Sequence, residues 1–217
     1  MTGIPIINVN NNCSTGSTAL YLARQAIESG SADCVLALGF EQMRPGALGD
    51  IYTDRPSPFG EFNETCEQLV GNAHIPLALR YFGGAGKSHM DKYGTTLKDF
   101  AKIRAKASRH ASKNPLALFK KEVSEEEVLE SPIMWPGVMT RLMACPPTCG
   151  GAAAILVSEK FANQHNLDAS VKILAQSMTT DYESTFADKD MMQLVGYDMS
   201  KEAAKNVYHQ ASIDVQD

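Results

Sequence analysis

The chain has 217 residues, 44% hydrophobic and 21% charged, with a formal net charge of −5. That balance suits one or two compact units with a real core and excludes a disordered chain. The negative charge gives no general attraction to nucleic acid or to an anionic membrane surface, and no apolar run is long enough to span a bilayer. Five cysteines, odd in number and scattered, point to a reducing compartment rather than a disulfide framework. Residues 1–12 lack the basic and apolar regions of a secretory signal. The matches to the glycosylation pattern at Asn12-Cys13-Ser14 and Asn63-Glu64-Thr65 are therefore read as chance.

Taken in order, Ile6, Ile7 and Val9 have the composition of a buried strand. Leu20, Ala23 and Ile27 then form an apolar stripe at helical spacing, with Arg24 and Glu28 off it and Ser29-Gly30 as a stop. The run from Cys34 to Gly39 is continuously apolar, which predicts a parallel strand covered on both faces. Strand, helix and strand make a βαβ unit, and two strands alone do not make a stable parallel sheet.

Residues 42–148 have a different texture. Pro45, Gly46, Gly49, Pro56, Pro58 and Gly60 predict loop at its start. Residues 67–82 are expected to be helical, with Pro76 in the first turn of a second part, and 89–93 to form a short helix. Thr96 is expected to cap a helix over 97–112 with Phe100, Ile103 and Ala107 as its stripe. Ser124 and Glu127 spell a capping box, and Pro132, Pro136 and Gly137 break the pattern. Beyond it, 151–158 and 171–177 read as strands, 162–166 as a short turn or helix, and Ser200 as the N-cap of a last helix.

Cys13 stands where the first strand meets the first helix. A helix start carries unpaired N–H donors and partial positive charge, which favour thiolate over thiol in a cysteine placed there. Such a cysteine is either an activated nucleophile or a buried thiol at an ordinary strand–helix turn. Gly86-Lys87-Ser88 lacks the glycine a phosphate loop needs, since Tyr81 stands in its place. Cys145 and Cys149 have no partner pair at metal-ligand spacing, so no metal is expected.

The string NVNNNCSTGSTAL resembles the nucleophile segment of the thiolase family, above all in its sterol carrier protein x branch. ADCVLALGFEQM, GGAGKSHMDKYG, GGAAAILVSE, ILAQSMTTD and VGYDMSKEAA extend the resemblance over nearly the whole chain. It implies a layered α/β/α fold, incomplete here, with an inserted and mainly helical loop domain. Residues 1–41 would belong to the N-terminal half, 42–148 to the loop domain, 149–165 to a returning strand, and 170–217 to the opening of the C-terminal half. It also implies that Cys13 takes an acyl group from a 3-oxoacyl-coenzyme A, releasing acetyl- or propionyl-coenzyme A. Coenzyme A is then a substrate, with no permanently bound cofactor. The setting would be peroxisomal (otherwise cytoplasmic), and the complete protein a homodimer.

Thiolases also use a histidine in a Gly-His-Pro loop, a second cysteine in a Cys-x-Gly loop near the C-terminus, and an Asn-Glu-Ala-Phe or His-Asp-Cys-Phe loop. None of the three is read in this chain: His74, His89, His110, His165 and His209 are followed by Ile, Met, Ala, Asn and Gln. A branch pattern of Pro-Thr-Ser-Asp-Gly becomes Pro147-Thr148-Cys149-Gly150-Gly151. Lys98, Lys102, Arg104, Lys106, Arg109 and Lys113 form a basic cluster. It is either a solvated helix face or, through Arg104 and Arg109, a contact to coenzyme A phosphates. A thiolase-like binding module without catalysis is the alternative function.

Overall fold

The computed structural model describes residues 3–46, 52–71 and 75–217. Gly49 and His74, named above, lie outside them, as does the middle of the helix expected over 67–82. In chain order the elements are α1 (Thr15–Glu28), β1 (Cys34–Glu41), α2 (Gly60–Val70), α3 (Leu77–Tyr93), α4 (Leu97–Ser112), α5 (Glu125–Glu130), β2 (Ile133–Trp135), β3 (Met139–Thr140), β4 (Gly150–Val157), α6 (Glu159–Gln164), α7 (Ser184–Ala187), α8 (Met191–Leu194) and α9 (Tyr197–Ala211). The chain divides into two compact units. The first comprises Met1–Ile51, Pro147–Thr180 and Lys201–Asp217, the second Tyr52–Pro146 and Asp181–Ser200. Residues 181–200 thus go with the second unit, whereas the sequence reading keeps 170–217 together.

In the first unit α1 forms as its stripe predicts, with Ala23 buried. It stops where Gly30 adopts a left-handed φ of +71° and donates its N–H to the Ile27 carbonyl at 3.0 Å. β1 pairs antiparallel with β4, from Cys34 opposite Val157 to Glu41 opposite Gly150. This corrects the expected parallel pairing: the apolar run fits either ladder, and the partner decides. α1 packs on this pair. Ala37 is buried while Leu36, Leu38 and Phe40, on the alternate positions, are exposed. Ser158 fastens the far end of the ladder. Its N–H donates to the Asp33 carbonyl at 2.9 Å and its hydroxyl to the Asp33 carboxylate at 2.7 Å, while the same hydroxyl caps α6.

Two expected strands do not form. Residues 3–10 and 171–177 carry no strand, and Ile6, Ile7 and Val171 are 81%, 82% and 92% exposed. β-branched composition favours an extended backbone, but a strand needs a ladder partner, and neither segment has one among the described residues. Ser200 is also not an N-cap: its N–H already donates to the Gly196 carbonyl at 2.9 Å, inside the first turn of α9.

The second unit is mainly helical. Cys66, Met191 and Leu194 form its buried cluster, joined by Phe62, Leu69, Tyr81 and Phe186. α3 runs unbroken through Gly83, Gly84 and Gly86, joining the helix expected up to 82, which starts after Pro76, to the short one expected at 89–93. Packing overrides propensity here. Gly83 and Gly84 are buried, and a Cβ on Gly83 would stand 2.8 Å from Trp135 Cε3, one on Gly84 2.8 Å from Met191 Cε. α4 starts at Thr96, in a capping box with Asp99. Its buried face is Ala101, Ala105 and Ser108, packed on α5, not the expected Phe100, Ile103 and Ala107. Small side chains let the two helices approach closely. α5 begins with the expected capping box of Ser124 and Glu127.

Pro136-Gly137, read as a breaker, closes a small hairpin between β2 and β3. Gly137 takes a φ of +71° and the Val138 N–H donates to the Trp135 carbonyl at 3.0 Å, as a Pro-Gly turn requires. Among the described residues no helix is long and apolar enough to cross a membrane.

Candidate functional site

The loop before α1 is held by its own polar side chains. Asn12 adopts a left-handed φ of +49°, which asparagine tolerates better than most residues. That kink lets the Ser14 N–H reach the Asn11 carbonyl at 2.9 Å and the Thr15 N–H the Asn12 carbonyl at 3.1 Å. The Thr15 hydroxyl donates to the Asn12 carbonyl at 2.6 Å and accepts the Asn11 N–H at 2.9 Å. The Asn11 amide donates to the Thr18 hydroxyl at 3.0 Å. Cys13 sits inside this mesh, exposed, two residues before the first helical residue. Ser14, at the N-cap, makes no side-chain cap bond, so it leaves the amides of Gly16 and Ser17 uncovered by that route.

Cys13 borders an open cavity of about 470 Å³. The wall opposite α1 is the end of the β1–β4 ladder: Gly39, Phe40 and Glu41 on one strand, Gly150 and Gly151 on the other. Glycine shapes this wall. A Cβ on Gly39 would lie 3.6 Å from the Gly16 Cα, so the start of α1 lies close over β1. Thr148 and Cys149 complete the rim. The Cys149 sulfur accepts the Met43 N–H at 3.2 Å, which fixes it at the entrance to β4. Two exposed thiols therefore share one cavity.

Sequence reasoning missed Cys149 and Glu41 as neighbours of Cys13. The signal for Cys149 was present, since Cys149-Gly150-Gly151 spells Cys-x-Gly, although not near the C-terminus. Only the register of β4 on β1, with Gly150 opposite Glu41, brings it to the cavity. No described histidine lines this cavity. His89 shares a 2.8 Å hydrogen bond with the Thr95 hydroxyl, and the His165 ring lies 4.2 Å from that of Phe161. The other cysteines are exposed except Cys66, whose thiol is pushed up by burial, partly offset by the positive charge of Arg80. Among the described residues no group of three His, Cys, Asp or Glu side chains is placed to hold a metal ion.

Five members of the basic cluster on α4 share one exposed face, and Arg104 lies apart from them. Lys98, Lys102, Lys106, Arg109 and Lys113 are exposed, and Lys102 pairs with Asp99 at 3.7 Å. Arg104 is half-buried and donates its Nε–H to the Leu142 carbonyl at 2.9 Å. Five residues apart, Arg104 and Arg109 point about 140° from one another around the helix. Arg104 therefore turns toward Leu142, while Arg109 is exposed on the other side of α4.

Known proteins resemble this chain over nearly its whole length. The profile described as "Thiolase, N-terminal domain" matches residues 1–128. Sterol carrier protein 2 of Oryctolagus cuniculus is 49% identical over 215 residues, covering 98% of this chain and 39% of that protein. Sterol carrier protein 2 of Homo sapiens is 48% identical over 218 residues, covering 100% of this chain and 40% of that protein. The chain therefore spans about two fifths of these relatives. Benzoylsuccinyl-CoA thiolase subunit BbsB of Thauera aromatica is 26% identical over 99% of this chain and 52% of its own. Among solved structures the Ltp2-ChsH2(DUF35) aldolase shares the fold, with a TM-score of 0.67 at 18% identity over 93% of this chain and 51% of that one. With more than half its length matched by the family profile and its fold shared, the chain belongs to the thiolase family.

Proposed function

We propose that the chain carries the nucleophilic half of a thiolase-type acyltransferase acting on 3-oxoacyl-coenzyme A. The observation that supports it is the exposed Cys13 thiol at the amino end of α1, facing an open cavity. In this reading the Cys13 sulfur attacks the 3-oxo carbon. The bond to the α-carbon breaks, and its electron pair leaves on the enolate of acetyl- or propionyl-coenzyme A. The enolate takes a proton at its α-carbon, while the shortened chain stays on Cys13 as a thioester. The thiol of a second coenzyme A then takes the chain, its proton restores the group that protonated the enolate, and Cys13 leaves as the thiolate that began the cycle.

Cys149 is the group in the same cavity whose thiol can supply that proton. Arg109 remains the proposed contact to the coenzyme's phosphates. Lipid side-chain metabolism in peroxisomes and a homodimeric complete protein belong to the same proposal through the relatives' branch. A second reading, a thiolase-like lipid-binding or interaction module without turnover, is favoured by the lack of any described histidine at the cavity. General acid–base help is worth about 10²–10⁴-fold, and its loss cripples a cysteine acyltransferase.

Mass spectrometry after incubation with a 3-oxoacyl-coenzyme A separates the two. The first reading expects an acyl adduct on the peptide containing Cys13, absent in Cys13→Ser. It also expects slower release of acetyl-coenzyme A by Cys149→Ser, with the Cys13 thiol still alkylable. An unmodified Cys13 that alkylates at an ordinary rate rejects the first reading and supports the second.

A further inference from the structure

A second cavity lies wholly within the second unit, and Cys13 does not line it. It holds about 300 Å³, at the lower end of pockets that take small molecules. Its walls are Phe82 of α3, Phe100 and Ile103 of α4, and Val138, Met139 and Met143 from the hairpin and the turn after it. The cavity has a cause in the sequence. Gly83 and Gly86 present bare backbone on α3, and α4 buries its small face on α5, so its large apolar face is left to line the space.

One charged group stands among these walls. Arg104 lines the cavity, its Nε tied to the Leu142 carbonyl at 2.9 Å. That bond fixes the plane of the guanidinium and leaves its terminal nitrogens for another acceptor. No carboxylate lies within ion-pair distance of Arg104 among the described residues. A fixed, half-buried and uncompensated cation beside apolar walls selects an anion with an apolar body.

We propose that this cavity binds a medium-chain aliphatic carboxylate, its tail among Phe82, Phe100, Ile103 and Met143 and its head on Arg104. A monoanion fits better than a phosphate ester. A single guanidinium faces the space, and the other basic side chains of α4 do not line it. The site requires no chemistry at Cys13, so its test stands apart from that of the acyltransferase.

The chain carries its own reporter. Trp135 is the single tryptophan, and its ring lies against Gly83 in the cavity wall. The 217-residue chain is titrated with octanoate, with octanol, and with adenosine 3′,5′-bisphosphate, following Trp135 fluorescence. Octanoate is expected to give a saturable change. Octanol should bind about ten- to hundredfold more weakly, the worth of a hydrogen bond to a charged group. Arg104→Gln should lower octanoate affinity by a similar factor and remove the difference between the two probes. Ala107→Leu, which fills the cavity from an exposed helical position, should abolish the response. The absence of saturable binding, or equal binding of octanoate and octanol to the unaltered chain, overturns the proposal even if Arg104→Gln fails to fold. Competition by the bisphosphate that depends on Arg104 overturns it in favour of a coenzyme contact.

Discussion

Gly83→Ala tests whether α3 is held by packing rather than by helix propensity. Alanine is worth about 1 kcal/mol more than glycine inside a helix, so propensity alone predicts a stabilised protein. The structure predicts the reverse. The added Cβ would meet Trp135 Cε3 at 2.8 Å, Trp135 Cζ3 at 3.0 Å and Met139 Cε at 3.3 Å. The methionine end can give way, but the indole is a large rigid ring carried on the β2–β3 hairpin, so it yields less easily. Overpacking of this kind costs about 1–3 kcal/mol, which leaves a net loss of about 1 kcal/mol at mid-range after the propensity gain. Gly86→Ala is the internal control. Its Cβ meets only Phe100, at 3.6 and 3.7 Å, which is ordinary contact. It should be neutral to stabilising by up to about 1 kcal/mol. Urea denaturation followed by Trp135 fluorescence reads the second unit directly, with helix content by circular dichroism as a check. Gly83→Ala matching or exceeding Gly86→Ala in midpoint would refute the packing account of α3.

Alkylation of the native chain should label Cys13, Cys34, Cys145 and Cys149 while sparing Cys66, which is fully buried and whose thiol burial pushes up. Peptide mapping by mass spectrometry checks this, and labelling of Cys66 at the rate of the others would contradict the core assigned to the second unit. Acidification should destabilise the start of α4. The Thr96 N–H, then the Thr96 hydroxyl, hold the Asp99 carboxyl below its usual value. A depressed carboxylate contributes stability above its unfolded pKa, and that contribution is lost as pH falls through the lower folded value. Asp99→Asn should therefore lower the melting temperature at neutral pH and flatten its fall below about pH 4. An unchanged profile would mean that the capping box does not report on folding.

What was legible in the chain was what short segments decide for themselves. The caps at Thr96 and Ser124 need only a partner three residues away, and both formed with that partner. Cys13 is placed by Asn11, Asn12, Thr15 and Thr18, all within a few positions of it. Where the deciding partner lies far along the chain, composition misleads. Ile6-Ile7 and 171–177 have strand chemistry and no ladder, whereas the run from Cys34 has the same chemistry and finds β4 more than a hundred residues later. α4 shows the same rule in packing: its largest apolar residues look like a core face, yet close approach of α5 selects Ala101, Ala105 and Ser108. Cys149 follows from it too. As a residue in a Pro-Thr-Cys-Gly string it looks incidental, and the pairing of Gly150 with Glu41 is what carries its sulfur to the cavity of Cys13. The second thiol is therefore a product of strand register. A change that shifts β4 by one residue on β1 should separate the two cysteines while leaving the start of α1 intact.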